Sequence, residues 1–121
     1  MHYKLFVFDL DETIWTVSEG LCSMLKPPFN MTAPDRLETN EGFWIKLKPG
    51  VHKLFDFLKE QEVYISLASR NDHKPTMEIL SAFGLSDGLT YPQIGWKAKE
   101  DMLKIILRRI KKRDKVTIKP D

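Results

Sequence analysis

Short apolar runs alternate along the chain with stretches in which apolar residues recur every third or fourth position. Residues 3–9, YKLFVFD, are rich in aromatic and β-branched side chains, and Leu5, Phe6, Val7 and Phe8 are apolar without alternation. A strand covered on both faces has this pattern. After Lys48, Pro49 and Gly50 the spacing changes. Val51, Leu54, Phe55 and Leu58 fall at i, i+3, i+4 and i+7, which predicts an amphipathic helix. Residues 63–69, VYISLAS, predict a second strand. The chain then turns through RNDHKP, where Asp72 is placed to cap a helix and Pro75 to sit in its first turn. That helix is expected to reach Phe83 and stop at Gly84. Residues 88–94 fit a short third strand. Residues 99–113 predict the longest helix, with Leu103, Ile106, Leu107 and Ile110 on one inward face. The last residues, KVTIKPD, read as the approach to a further strand.

Strands alternating with helices predict a parallel α/β sheet. Residues 16–47 fit poorly. They hold KPPF, TAPD and TNEG with weak periodicity, and we read them as a flap or small cap inserted after the first strand, with a hairpin around residues 43–47. Open α/β sheets bind ligands at the carboxyl ends of their strands. Asp9, Ser69 and the GWKAK segment would share that edge.

Composition narrows the class. The chain has 121 residues, enough for one small domain, and its 42% apolar and 30% charged residues are ordinary for a soluble globular protein. A net charge of +2 is too small to argue for nucleic acid. The basic run LRRIKKRDK reads as the charged outer face of a helix, with cations favoured near its C-terminus and Leu107 and Ile110 turned inward. The single cysteine, Cys22, excludes an intrachain disulfide, suits a reducing compartment, and has no nearby Cys or His to complete a metal-ligand spacing. LFVF is too short for a signal peptide, and no stretch approaches the roughly 18–20 apolar residues that span a bilayer. A cytoplasmic protein without membrane contact is expected.

Two carboxylates at the end of the first strand change the picture. A lone Asp there would cap a turn or pair with a lysine. Asp9 and Asp11, at i and i+2, point to the same side by strand periodicity. Like charges that close are costly unless a cation or a shared proton offsets them. A hard divalent ion is the simplest remedy, and Mg²⁺ takes carboxylate oxygens, carbonyls and water.

These residues carry a resemblance. DLDET matches the Asp-x-Asp-x-Thr signature of the haloacid dehalogenase (HAD) superfamily. ASRND resembles its second motif, a Ser at the end of the second strand, and GWKAK resembles its third, a lysine. The longer forms DLDETIW, KPPF and ASRND are most similar to the small, nearly capless magnesium-dependent phosphatase branch. The resemblance implies a Rossmann-like parallel sheet flanked by helices, and Mg²⁺-dependent hydrolysis of a phosphomonoester through an aspartyl-phosphate. Asp9 would be the nucleophile and Asp11 the general acid and base. Mg²⁺ would bind the Asp9 carboxylate and the Asp11 main-chain carbonyl. Ser69 would donate to a phosphate oxygen, and Thr13 would order the loop. Lys97 and Lys99 both qualify as the third motif. Lys99 is favoured because its i+4 neighbour, Leu103, lies on the predicted buried face, whereas Lys97 leads to Asp101 and Lys104. Arg70 and Asn71 are assigned to the phosphate site, at the substrate mouth, or else only shape the turn. His73 reads as a surface residue at a helix start. Trp15, Phe29, Phe43 and Trp44 wall a pocket or pack in the core. The substrate would be a phosphorylated small molecule or phosphoprotein, with nucleic acid the lesser reading. Another HAD-type phosphotransferase and a catalytically inactive or receiver-like domain are the alternatives.

The superfamily's fourth motif, an acidic pair after a further strand, has no match. Beyond Lys99 the acids are Glu100, Asp101, Asp114 and Asp121, and none follows an apolar strand by this reading. The strand expected beside the first one would come after Asp121. The expectation is therefore one HAD-like domain over residues 1–121, either cut short at its C-terminus or naturally lacking the third metal carboxylate. Residues 16–47 would be its insert, and a sheet edge would be left open through which copies could associate.

Overall fold

The computed structural model describes residues 2–114 and 117–118. Its strands are β1 (His2–Tyr3), β2 (Leu5–Phe8), β3 (Trp15–Val17), β4 (Phe29–Ala33), β5 (Arg36–Thr39), β6 (Trp44–Leu47), β7 (Tyr64–Arg70), β8 (Gln93–Gly95) and β9 (Thr117–Ile118). Helix α1 (Val51–Glu60) precedes β7, α2 (His73–Ala82) precedes β8, and α3 (Lys99–Asp114) precedes β9. A single 3₁₀ turn occupies Cys22–Met24.

The result is a mixed α/β chain. β2, β7 and β8 form a parallel three-stranded sheet in that order, and β3, β6, β5 and β4 form an antiparallel one. Phe8 stands opposite Leu67, Ser69 opposite Ile94, and Arg70 opposite Gly95, so the carboxyl ends of β2, β7 and β8 share one edge. β9 pairs in parallel with β1, His2 opposite Thr117 and Tyr3 opposite Ile118. This corrects the expectation that the neighbour of the first strand comes only after Asp121. It begins at Thr117. Asp121, and with it the question of the fourth motif, lies outside the described residues.

The weakly periodic segment folds as the antiparallel sheet. Its strands are only three to five residues long, and the β4–β5 ladder shifts register between Met31 and Ala33. Hairpin β5–β6 closes where the Thr39 amide donates to the Phe43 carbonyl and the Phe43 amide donates to Thr39 Oγ1. This sheet has no separate core. Trp15, Leu37 and Ile45 pack in the same buried cluster as Ile65, Leu67, Ile79 and Leu80.

The predicted helices form, but two of their faces are turned. α1 buries Val51, Phe55 and Leu58, while Leu54 is exposed. α3 buries Met102, Ile106 and Ile110, whereas Leu103 and Leu107 are 39% and 40% exposed. Both sets recur at i and i+4, so spacing alone cannot choose between stripes about 100° apart. The inward placement of Leu103 and Leu107 is thereby overturned. β2 also departs from expectation. Phe8 stacks on Phe55 at 5.5 Å between centroids, but Phe6 is 40% exposed and lines an open concavity of about 540 Å³ with Phe57 and Leu58. The strand is not sealed on both faces.

α2 ends as its sequence requires. Gly84 takes φ +72°, the Leu85 amide donates to Leu80, and the Gly84 amide donates to Ser81. This is the Schellman pattern, with buried Leu80 and Leu85 at its hydrophobic contact. No helix among the described residues is long and apolar enough to cross a membrane.

The α3 assignment can be checked by chemical denaturation. Ile106→Ala should cost about 2–5 kcal/mol, the usual loss for a large aliphatic truncated in a core. Leu107→Ala should stay within about 1 kcal/mol. Equal losses would restore the predicted face.

Candidate active site

Asp9 is the first residue after β2, and the chain turns at once. The Thr13 and Ile14 amides donate to the Leu10 carbonyl at 3.0 and 2.9 Å. Glu12 adopts a left-handed conformation at φ +65°, uncommon for a residue with a side chain. Leu10 is buried and anchors the turn. The reversal returns the Trp15 indole to Asp11. Thr13 is exposed on the outside of this turn.

The two acids have different partners. One Asp9 oxygen accepts the Leu10 amide at 2.8 Å, and the other accepts Lys99 Nζ at 2.5 Å. The Lys99 and Asp9 side chains are 46% and 41% exposed, so the pair is solvated and adds little to stability. Among the described residues Asp11 meets only neutral donors. Trp15 Nε1 donates to Oδ1 at 2.8 Å, Asn71 Nδ2 donates to Oδ2 at 3.2 Å, and the Cys22 amide reaches both oxygens at 3.3 and 3.4 Å.

Lys99 arrives here for a reason other than helix facing, since Leu103 is exposed. It is the first residue of α3, which begins just beyond the carboxyl end of β8. Lys97 is exposed in the connection. Arg70, the last residue of β7, is exposed at the rim.

Asn71 does not line the mouth. It is 2% exposed and lies beneath the edge. Its Nδ2 also donates to Ser69 Oγ at 2.8 Å. Its Oδ1 accepts Ser23 Oγ at 2.7 Å and the Ser23 amide at 3.4 Å. Both ends of the amide thus meet protein partners. Ser69 is buried beside it.

Asp72 occupies the position before α2, but its carboxylate does not cap the helix. It accepts Trp96 Nε1 at 2.8 Å instead. His73 is exposed at the helix start. Of the aromatics proposed as pocket walls, Trp15 is buried, Phe29 and Phe43 pack against the core, and Trp44 lies under the Arg36 guanidinium at 5.0 Å.

Sequence reasoning missed Cys22, Ser23 and Trp96. The first two sit in a segment with no periodic signal, where nothing placed them beside Asn71. The Cys22 thiol lies 3.6 Å from Asn71 Oδ1 and 3.8 Å from Thr76 Oγ1. Burial, and after it the Asp11 charge, pushes this thiol well above the ordinary range.

The oxygen donors on the edge are hard ligands of the kind Mg²⁺ takes, and that ion is commonly held by one or two carboxylates with water and substrate phosphate. Among the described residues no group of three or more His, Cys, Asp or Glu side chains is placed to hold a metal. The half-exposed Asp9 carboxylate is one such oxygen donor on this edge.

The sequence model of a family described as acid phosphatase matches residues 2–116 of the chain. No curated protein matches it in sequence.

The displaced thiol generates a measurable expectation. At pH 8 the folded protein should label with a disulfide reagent more than about tenfold slower than the denatured chain, since one pKa unit already makes that factor in thiolate. The unfolded thiol ionises from about pH 8.5 and the folded one does not. The stability from keeping Cys22 neutral is therefore present below that pH and lost as pH rises above it. Equal labelling rates would show that Cys22 is accessible.

Proposed function

Because the chain belongs to the acid phosphatase family, we propose that it hydrolyses phosphomonoesters by HAD-type chemistry with Mg²⁺. The observation that carries this reading is the Lys99–Asp9 pair at the carboxyl edge of the parallel sheet, with Asp11 two residues on. An anionic nucleophile, a fixed cation and a second carboxyl group are what phosphoryl transfer to an aspartate requires.

An Asp9 oxygen attacks phosphorus as the ester P–O bond breaks, and Asp11 gives its proton to the departing oxygen. The product is an acyl phosphate on Asp9. Asp11 then takes a proton from water as that water attacks phosphorus, releasing inorganic phosphate and restoring the Asp9 carboxylate. Lys99 spreads the charge on the transferring oxygens, a role that favours a preorganised donor. Ser69 Oγ donates to one of those oxygens. When bound by the Asp9 carboxylate and the Asp11 carbonyl, Mg²⁺ supplies further charge screening between nucleophile and phosphate. Arg70 on the exposed rim is suited to the leaving-group side of a phosphorylated small molecule or phosphoprotein.

Asp9→Asn should abolish turnover and the acid-stable trapping of labelled phosphate on the protein. Label retained by the purified variant would remove Asp9 from its role. Lys99→Ala should lower kcat/KM by about 10²–10³-fold, as for other transition-state donors, while Lys97→Ala should change it no more than a few-fold. The reverse order would move the phosphate cation to Lys97. Chelation should depress turnover and added Mg²⁺ restore it.

A further inference from the structure

The hydrogen bonds around Asn71 have a fixed direction. The Ser23 amide can only donate, and it reaches Asn71 Oδ1 at 3.4 Å, so the Asn71 side chain presents its NH₂ to Asp11. The second NH₂ proton goes to Ser69 Oγ at 2.8 Å. Ser69 therefore accepts from Asn71 and keeps its own proton free, and among the described residues no acceptor takes it. On the other side, the Asp72 amide donates to Ser23 Oγ at 3.0 Å, and Ser23 Oγ donates to Asn71 Oδ1 at 2.7 Å. Ser23 sits in the 3₁₀ turn at Cys22–Met24, far from β7 in sequence. A chain of donors thus runs one way, from the start of α2 through Ser23 and Asn71 to Asp11 and Ser69.

We infer that Asn71, oriented by Ser23, is a positioning residue that holds the Asp11 carboxyl in place and turns the Ser69 hydroxyl into a donor for the substrate phosphate. The inference rests on the reaction proposed above. It goes beyond it by assigning roles to Asn71 and Ser23, neither of which takes part in the steps above. A flipped Asn71 would instead present its oxygen to Ser69 and take that proton. Asp11 would lose one of its side-chain donors and with it a fixed distance to the departing oxygen.

Two substrates separate this role from simple packing. p-Nitrophenyl phosphate has a leaving group that needs little protonation, whereas glycerol phosphate needs a well-placed acid. Asn71→Ala should lower kcat/KM on both through Ser69. The loss on glycerol phosphate should exceed that on p-nitrophenyl phosphate by more than about tenfold, part of the 10²–10⁴-fold that a general acid contributes. Asn71→Asp is nearly isosteric but can no longer donate to Asp11 or Ser69, and it also places a like charge beside Asp11. It should be at least as impaired as Asn71→Ala. Ser23→Ala should show the same leaving-group bias at smaller size. If Asn71→Ala does not fold, the Asn71→Asp and Ser23→Ala pair carries the test.

Equal losses on both substrates, or better activity in Asn71→Asp than in Asn71→Ala, would reduce Asn71 to a space-filling residue and overturn the inference. Asp11→Asn serves as the benchmark. A strong leaving-group bias there, without one in the Asn71 and Ser23 variants, sinks the inference alone. Full activity in Asp9→Asn sinks the underlying reaction.

Discussion

Phe8 stands opposite Leu67 in the parallel ladder between β2 and β7, and the carboxyl edge is built on that pairing. It brings the turn after β2 beside the last residues of β7, so that the Asp11 carboxylate comes within a hydrogen bond of Asn71. Strand side chains alternate, so a slip of one residue would exchange the face of every one of them. Leu10 is buried and Asp9 is half-exposed. A slipped β2 would turn Phe8 away from its stack on Phe55 and carry the turn that begins at Asp9 away from the end of β7.

The two acids then live in different energetic regimes. The Lys99–Asp9 pair is solvated, and exposed ion pairs are worth about 0–1 kcal/mol. Such a pair can open for an incoming phosphate at little cost to the fold. The Asn71 network is buried, where each orphaned donor or acceptor costs about 1–3 kcal/mol. It resists rearrangement. One acid is left free to react while the other is held still, which suits an attacking group and a proton donor respectively.

The regular elements were legible because their signals are strong and local. The α1 spacing, Gly84 after α2, and the apolar run of β7 each imply one structure. The face of α3 was not legible, because Met102 and Ile106 repeat at the same interval as Leu103 and Leu107. The pairing with Asp9 falls on Lys99, yet the facing argument for it fails. Its position follows from where α3 starts relative to β8, a tertiary fact. From sequence Asn71 could line the substrate mouth or only shape the turn. Its side-chain oxygen is held by Cys22 and Ser23, which come from the segment with no period to read. Short strands with a register shift give too few alternations to be seen as a sheet.

The Cys22 amide carries a consequence of its own. A backbone N–H that donates to a carboxylate feels that carboxylate's charge directly, more strongly than it would feel a neutral acceptor. Cys22 reaches both Asp11 oxygens, and its own side chain is sealed from solvent. Its amide proton is therefore a built-in spectroscopic probe. In a two-dimensional nitrogen–proton spectrum its resonance follows the ionisation of Asp11, so the protonation state of one carboxyl group can be read from a neighbouring peptide without labelling the acid itself.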